Sequence, residues 1–293
     1  MNDFNLSYQN YLDEFEAYLN AYVSKLKTNP TILGESMAYS LQGGGKRIRP
    51  VLMLACADVL SLSHEEVLPF ALALEMIHTY SLIHDDLPAM DNDDFRRGKP
   101  SCHKAFGEAN AILAGDALLN EAYAICFEQC TKGEEYVIAS RLLNEYAGAF
   151  GMIAGQSADL LFTGRQGDVT EEELRYVHEH KTGKLLLAPV AVPNILAKNK
   201  NYLSFEFFGK QLGLLFQMTD DILDVTGSFD ELGKSIGKDE TENKLTTVRL
   251  YGLEAAKVRA DICAKECHAV LEGIEGDTEF LHALIDYVLV RTK

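Results

Sequence analysis

Two clusters of aspartates, each beside a strongly apolar stretch, are the residues of this chain best suited to chemistry. Their members are Asp85, Asp86 and Asp91 in the first cluster and Asp220, Asp221 and Asp224 in the second. Carboxylates at the edge of an apolar core repel one another and lose hydration, so they cannot all stay ionised without cations. Mg²⁺ is the expected partner because it binds through one or two carboxylates together with water or substrate phosphate. The two clusters therefore predict a cavity in which several Mg²⁺ ions hold a polyphosphate.

The first cluster requires a bend in the chain. His78 and Asp85 are seven residues apart and share one face of a helix, but Asp91 would lie about 120° away from Asp85 on a straight helix. Pro88 stands between the two aspartates. Proline disfavours helix at the residue before it and ends or kinks the run, so we expect the chain to curl Asp91 back towards Asp85.

Helical periodicity dominates the rest of the chain, and alternating strand patterns are nearly absent. On the helix that carries the second cluster, Asp220 and Asp224 are one turn apart, with Asp221 at the edge of their face. Capping boxes are predicted at Ser63 and Thr170, each followed three residues later by Glu. The predicted helices are 3–27, 32–41, 49–60, 64–87, 105–130, 134–149, 151–163, 170–196, 202–226, 240–271 and 277–291. We expect one all-α domain over residues 1–293.

Composition narrows the class of protein. The chain has 293 residues, of which 47% are hydrophobic, which is enough for a large core. A formal charge of −17 argues against a nucleic-acid partner, since phosphate backbones need a basic face. The longest apolar run, residues 185–197, is too short to span a bilayer, and the first 25 residues do not resemble a signal peptide. The six cysteines show no zinc-site spacing. We expect reduced thiols and a soluble, cytoplasmic protein.

A set of ordered motifs makes the chain resemble the trans-isoprenyl diphosphate synthases, and most closely the bacterial type that makes farnesyl diphosphate. The match runs from about residue 40 to the C-terminus. Its motifs are Gly-Gly-Gly-Lys-Arg-Ile-Arg-Pro at 43–50, His-Thr-Tyr-Ser-Leu-Ile-His-Asp-Asp-Leu-Pro-Ala-Met-Asp at 78–91, Arg-Arg-Gly-Lys-Pro at 96–100, Gly-Gln-Ser-Ala-Asp at 155–159, His-Lys-Thr-Gly at 180–183, Phe-Gln-Met-Thr-Asp-Asp-Ile-Leu-Asp at 216–224 and Gly-Lys-Ser-Ile-Gly-Lys-Asp at 233–239.

The resemblance implies a single-domain helical bundle around a central cavity, with two diphosphate sites. The six aspartates would hold three Mg²⁺ per active site, for which Mn²⁺ can substitute. The isopentenyl diphosphate site would consist of Lys46, Arg49, His78 and Arg97; the allylic diphosphate site would consist of Arg96, Lys181, Thr182, Gln217, Lys234 and Lys244. Lys181, Thr182 and Gln217 are the expected catalytic residues, because their family counterparts face the leaving diphosphate and the developing allylic cation. The basic C-terminus, Arg291 to Lys293, resembles a tail that folds towards the isopentenyl site.

The reaction implied is the condensation of isopentenyl diphosphate with dimethylallyl or geranyl diphosphate. Mg²⁺ and the cationic side chains would stabilise the departing diphosphate, the allylic C–O bond would ionise, and the isopentenyl double bond would attack the cation before a proton is lost. Tyr80 and Ser81 are the expected chain-length residues. Tyr80 lies five residues before Asp85, about 7.5 Å deeper along the helix, where an aromatic ring can stop the product at fifteen carbons. A homodimer is also implied.

Four alternatives stay open. The first is a geranylgeranyl diphosphate synthase of the same family, and the second is a non-catalytic subunit of a heteromeric prenyl synthase, although both aspartate motifs are intact. The third is a terpene cyclase or head-to-head synthase, which needs metal sites but no isopentenyl site. The fourth is a ferritin-like di-iron bundle, because Glu-x-x-His occurs twice, at Glu75 and at Glu279. That fourth alternative leaves both aspartate clusters unexplained.

Overall fold

The computed structural model describes residues 2–165, 170–226 and 244–291, and helices make up most of this part of the chain. The first eight helices are α1 (Asn2–Leu26), α2 (Ile32–Leu41), α3 (Ile48–Val59), α4 (His64–Asp85), α5 (Cys102–Phe106), α6 (Glu108–Gln129), α7 (Glu134–Ala147) and α8 (Met152–Phe162). After them come α9 (Glu171–Val177), a π-helical segment (His178–Gly183), α10 (Lys184–Leu196), α11 (Tyr202–Thr226), α12 (Thr247–Tyr251), α13 (Leu253–Leu271) and α14 (Glu279–Val290). The expected all-α class is confirmed.

Most predicted boundaries agree with the observed helices, and glycine accounts for two that do not. The predicted helix 105–130 is interrupted at Gly107. Of the predicted helix 240–271, residues 240–243 lie outside the described residues, 244–246 are not helical, and the remainder is interrupted at Gly252. Both glycines have a positive φ, of 82° and 81°, which ends one helix and begins the next. The predicted helix 170–196 contains the π-helical segment between α9 and α10. The residues of this π-helical segment follow the same apolar pattern as a continuous α-helix, so periodicity alone does not reveal the segment.

Helix caps explain where α4 and α9 begin. The capping box predicted at Thr170 is present with both of its hydrogen bonds. The box predicted at Ser63 does not form: Ser63 Oγ caps the helix by accepting from the Glu65 amide at 3.3 Å rather than from the Glu66 amide, and the Glu66 carboxylate accepts a hydrogen bond from the Tyr136 hydroxyl. Glu66 therefore ties α4 to α7 rather than closing its own helix.

The core is built around α4, which packs against α3 and α6, while α10 packs against α3, α7 and α11. Phe70, Leu74 and Met76 of α4 are fully buried. By length and composition α4 could cross a membrane, yet 78% of its most apolar window is buried inside the protein, as expected of a core helix. A second cluster of apolar side chains joins α3, α11, α13 and α14. The core around α4 and this second cluster fix the positions of the end of α4 and the end of α11. Both aspartate motifs are therefore held in place.

A short hairpin follows α4. Its strands, β1 (Phe95–Arg96) and β2 (Lys99–Pro100), are antiparallel. The two turn residues, Arg97 and Gly98, have φ of 54° and 73°. A positive φ at both central positions suits a two-residue hairpin, whose twist then matches the strands. The turn places the adjacent Arg96 and Arg97 on different sides of the loop.

Candidate active site

The first aspartate motif forms a compact knot at the C-terminus of α4. Asp85 is the last residue of the helix, and its carbonyl oxygen accepts a hydrogen bond from the Asp91 amide at 2.8 Å. The Asp86 carbonyl accepts from the Asp93 amide at 3.2 Å. The chain therefore curls back after Pro88, which confirms the bend that the sequence predicted.

Burial and crowding disfavour ionisation in this motif. Burial, together with the charge of Asp91, raises the pKa of Asp85 to about 6, although Lys181 and Arg96 oppose the shift. Burial also raises the pKa of Asp86, whose carboxylate is bonded to Arg96. The carboxylates of this motif thus require more positive charge than the protein itself supplies.

The hairpin directs two neighbouring arginines to different partners. Arg96 donates to the Asp86 carboxylate through Nε, at 3.1 Å, and through Nη2. Arg97 donates to the carbonyl oxygen of Gly44 in the Gly-rich loop. Gly45 has φ of 115°, at which any other residue would be strained, and a Cβ there would lie 2.5 Å from the guanidinium carbon of Arg97 as it is placed here. Arg96 therefore faces the first aspartate motif, and Arg97 faces the Gly-rich loop.

Arg49 and His78 lie with Arg97 on the side of the Gly-rich loop. Burial lowers the pKa of Arg49 to about 10, and its Nε is buried with no partner among the described residues. Burial and the neighbouring arginines, Arg49 first, keep the pKa of His78 well below its usual value. Arg49, His78 and Arg97, three of the four predicted isopentenyl residues, thus lie together in a buried patch of positive charge. Lys46 follows the three glycines of the same loop, and its carbonyl oxygen accepts from the Tyr8 hydroxyl.

The second aspartate motif lies near the C-terminus of α11. Asp221 accepts from the Thr247 amide at 2.7 Å and from Gln217 Nε2 at 2.9 Å. Asp224 is buried as well, and its Oδ2 has no hydrogen-bond partner within the described ranges. Asp220 is partly exposed and pairs with Arg291 at 2.6 Å. Asp221 and Asp224 are therefore the most enclosed aspartates of this motif, whereas the helical periodicity predicts Asp221 at the edge of the face that Asp220 and Asp224 share.

The π-helical segment carries two of the three expected catalytic residues, Lys181 and Thr182, and the third, Gln217, faces it from α11. Lys181 Nζ lies 2.6 Å from Asp159 Oδ2. Burial works against its charge, but Asp159 and Asp85 outweigh this and raise the pKa of Lys181, so it stays an ammonium. Thr182 Oγ1 donates to Gln217 Oε1 at 2.7 Å. A Cβ at Gly155 would lie 2.1 Å from the Lys181 amide nitrogen, so α8 approaches this segment closely only because residue 155 is glycine.

Lysines connect the two motifs. Lys244 Nζ lies 3.2 Å from Asp91 Oδ2. Its positive charge is also near enough to Lys181 to oppose part of the rise in the pKa of Lys181. Lys181 in turn stands beside Asp85. The expected allylic residues Arg96, Lys181 and Lys244 are thus grouped around the first motif. Lys234, which we also placed in this site, and the tail residues Thr292 and Lys293 lie outside the described residues.

Tyr80 and Ser81 lie one to two turns before Asp85 on α4. Tyr80 is buried, its hydroxyl has no partner in the described part of the chain, and its ring meets the His84 ring edge-on with centroids 5.7 Å apart. Burial raises its pKa. The His84 imidazole bonds to the Ile112 carbonyl at 3.1 Å and lies against Gly115 of α6, where a Cβ would lie 2.1 Å from the ring. His84 therefore braces Tyr80 against α6. The Ser81 hydroxyl bonds back to the His78 carbonyl.

The donor set suits a hard divalent cation. All six predicted ligands are carboxylates, Asp224 keeps a buried oxygen with no partner among the described residues, and burial, with the charge of Asp91, raises the pKa of Asp85 despite Lys181 and Arg96. Among the described residues no three side chains converge closely enough to chelate one ion. The carboxylates instead contact basic side chains, namely Arg96, Lys244 and Arg291.

Several residues of the site escaped the sequence analysis. Asp159 ends the Gly-Gln-Ser-Ala-Asp motif at 155–159, but nothing in the spacing of that motif indicates a pair with Lys181. Thr247 contributes a backbone amide, which leaves no signature in a sequence. The tail residue Arg291 bonds to Asp220, to Thr219 and to the Phe216 carbonyl, and its guanidinium stacks on the Phe216 ring, contacts that the resemblance did not indicate.

Comparison with known proteins defines the family. The polyprenyl synthetase family model matches residues 30–274, and the chain belongs to this family. It is 46% identical over 264 residues to farnesyl diphosphate synthase of Micrococcus luteus, covering 89% of this chain and 90% of that protein. It is 45% identical over 271 residues to chloroplastic geranylgeranyl pyrophosphate synthase of Capsicum annuum, covering 89% and 72%.

A solved relative gives the same fold. The Helicobacter pylori geranyltransferase, crystallised with magnesium and isoprenyl diphosphate, superposes with a TM-score of 0.82 at 32% identity, covering 96% of this chain and 95% of that one. This likeness excludes the ferritin-like alternative. The two Glu-x-x-His motifs on which that alternative rests also have other partners, since Glu75 pairs with Arg47 and His282 pairs with His268.

Proposed function

We propose that the protein is a farnesyl diphosphate synthase. It condenses isopentenyl diphosphate with dimethylallyl diphosphate and then with geranyl diphosphate, and it releases pyrophosphate at each step. The observation that supports this most directly is the separation of its cations. Arg96, Lys181 and Lys244 surround the first aspartate motif, while Arg49 and Arg97 gather beside the Gly-rich loop. Two cationic sites suit an enzyme that binds two diphosphates.

The allylic diphosphate binds among the aspartate motifs and their lysines. Mg²⁺ held by the six aspartates would supply the positive charge that a departing diphosphate needs. Lys181 is kept cationic by Asp159 and Asp85, so it can donate to the diphosphate oxygens throughout ionisation. Lys244 and Arg96, which contact Asp91 and Asp86 in this structure, would contribute donors to the same group. We expect three Mg²⁺ per site, with Mn²⁺ able to substitute.

Thr182 and Gln217 would stabilise the allylic cation. Asp221 accepts from the Gln217 amide nitrogen, which turns the amide oxygen towards Thr182. The threonine hydroxyl donates to that oxygen, so lone pairs of both oxygens are left at this edge of the π-helical segment. Electron-rich, uncharged groups can stabilise a carbocation without capturing it, whereas a water molecule would form an alcohol.

The isopentenyl diphosphate binds beside the Gly-rich loop, held by Lys46, Arg49, His78 and Arg97. His78, whose low pKa keeps it neutral, can donate one N–H to an oxygen of the diphosphate. The double bond attacks the cation, and a proton leaves the new carbon chain for the released pyrophosphate. No protein nucleophile takes part in this sequence.

Tyr80 supports the fifteen-carbon product over the geranylgeranyl alternative, because its ring lies about 7.5 Å before Asp85 and is braced by His84. We also propose that the chain acts as one domain and as a homodimer. Exposed Ile112, Leu113 and Phe150 support a partner surface of this kind. Six free thiols, mostly buried, support a reducing compartment such as the cytoplasm.

The experiment incubates the protein with labelled isopentenyl diphosphate and either dimethylallyl or geranyl diphosphate, with Mg²⁺ or with a chelator. We expect a Mg²⁺-dependent fifteen-carbon product from both starters. A twenty-carbon main product would favour geranylgeranyl synthesis. The absence of any product at micromolar protein would favour the non-catalytic subunit. Size-exclusion chromatography with light scattering tests the homodimer.

A further inference from the structure

Arg47 is the middle basic residue of the Lys46-Arg47-Ile48-Arg49 motif, and it has no place in the proposed contacts with substrate. It precedes α3 with φ of 52° and ψ of 34°, a left-handed conformation that is uncommon for a residue other than glycine. Its side chain is only 1% exposed. A buried, charged residue held in a strained conformation requires strong local compensation.

The guanidinium of Arg47 joins three helices. Its Nη1 lies 2.7 Å from Glu75 of α4, its Nε lies 2.7 Å from Glu16 of α1, and its Nη2 donates to the Leu41 carbonyl at the end of α2. These charge-assisted hydrogen bonds use the planar fork of arginine, which a lysine ammonium cannot reproduce. They fix Arg47 while its chain neighbours Lys46 and Arg49 take part in the proposed isopentenyl site.

Glu75 connects this anchor to the substrate side. It is 2% exposed and lies one turn before His78 on α4. Burial lowers the pKa of both Arg49 and Arg97, and in each case Glu75 is the leading group that opposes the change. One buried carboxylate therefore faces three arginines, counting Arg47. It limits their mutual repulsion and so holds Arg49 and Arg97 near each other before any diphosphate arrives.

We propose that the Arg47–Glu75 pair is a positioning device for the isopentenyl diphosphate site. Arg47 does not touch the substrate; through its bonds to Glu75 and Glu16 it sets the backbone direction of the Gly-rich loop and the spacing of Arg49 and Arg97. The allylic site has separate supports, Asp159 beneath Lys181 and Asp86 beside Arg96. A defect in Arg47 should therefore affect one substrate and not the other. This inference rests on the proposed function.

Arg47→Lys is the most informative variant because it keeps the charge and loses the three-way geometry. Steady-state kinetics with geranyl diphosphate should show a KM for isopentenyl diphosphate raised roughly tenfold or more, as expected when charged hydrogen bonds are misplaced. The KM for geranyl diphosphate and kcat should stay within about twofold of the wild type. Glu16→Gln removes one of the two negative charges that face the same guanidinium while keeping an oxygen that can accept from Nε, and it should give a smaller rise in the same KM.

Glu66→Gln is the matched control, because Glu66 is on the same helix and bonds to Tyr136, far along α4 from His78. It should leave both KM values unchanged. If Arg47 only stabilised the fold, partial unfolding would lower kcat through the active fraction and leave both KM values alone. That result, or an equal rise of both KM values, would overturn the inference. If Arg47→Lys does not fold, Glu16→Gln decides by the same criterion. Failure of the wild type to consume isopentenyl diphosphate would instead refute the proposed function.

Discussion

Removing the Tyr80 ring should lengthen the product by about one five-carbon unit. Tyr80 lies about 7.5 Å before Asp85 along the axis of α4, and the buried side chains one turn further towards the N-terminus are Ile77 and Met76, three and four residues away. Tyr80→Ala would therefore deepen the pocket by about one helical turn, roughly 5.4 Å, before a growing chain meets them. This is close to the extended length of one isoprene unit, so we expect mainly the twenty-carbon product rather than a long polymer.

The same substitution has a cost in stability. Deleting a buried aromatic ring typically destabilises a protein by about 3–5 kcal/mol, so the thermal midpoint should fall. Tyr80→Phe is the matched control: it keeps the ring and removes a buried hydroxyl that has no partner among the described residues. It should leave the product at fifteen carbons and the stability unchanged or slightly higher. Ser81→Phe should shift the product towards ten carbons, because it fills the space beneath Asp85.

The assay is chromatographic analysis of dephosphorylated products at saturating isopentenyl diphosphate. Product length is measured independently of rate, so a partly unfolded variant still gives a valid result. If Tyr80→Ala and Ser81→Phe both release only the fifteen-carbon product, Tyr80 is not the floor of the pocket and the argument from depth is refuted.

Three further predictions concern the charged groups and the oxygens of the site. Asp85→Asn should lower kcat on the order of a hundredfold or more. In calorimetry without metal, Asp85→Asn should also raise the thermal midpoint at pH 8. The pKa of Asp85 is raised to about 6 in the native state, so the wild type loses stability as pH rises through that value, and the asparagine variant avoids this loss. The difference between the two proteins should vanish near pH 4. Arg96→Ala should raise mainly the KM for the allylic substrate, and Arg97→Ala mainly the KM for isopentenyl diphosphate. Each rise should correspond to a loss of roughly 1.5–3 kcal/mol of binding free energy. Equal effects on both substrates would contradict the assignment of the two arginines to separate sites. Thr182→Val should lower kcat with little change in either KM, which steady-state kinetics at saturating substrate would detect, and a change confined to KM would exclude a role near the cation.

The sequence was most informative where local chemistry determines the structure. The bend at Pro88 follows from the geometry of one residue, and the Asp91-to-Asp85 hydrogen bond forms as that geometry predicts. Helix identities followed from periodicity, since an apolar stripe specifies which face is buried. Helix ends were harder. The breaks at Gly107 and Gly252 depend on a positive φ that glycine permits but does not require.

Pairings between distant helices could not be predicted. Asp159 and Lys181 are 22 residues apart, and Arg47 and Glu75 are 28 apart, so only the packed structure brings each pair together. The π-helical segment was missed for a related reason: its extra residue is stabilised by close packing against Gly155 and Gly213, which a periodicity argument does not contain. The roles taken from family resemblance named the substrate contacts, whereas the structure adds the residues that hold those contacts in place.

If the protein binds two diphosphates at once, ionisation of the allylic substrate should be coupled to its condensation, and the stoichiometry of the products measures that coupling. Geranyl diphosphate is incubated with isopentenyl diphosphate and Mg²⁺, and pyrophosphate, farnesyl diphosphate and geraniol are measured together. We expect one pyrophosphate for each farnesyl diphosphate formed, no pyrophosphate release at a comparable rate without isopentenyl diphosphate, and almost no geraniol. Pyrophosphate released at full rate with geraniol as its partner product would contradict this coupling, because the site would then ionise an allylic diphosphate without holding a second substrate.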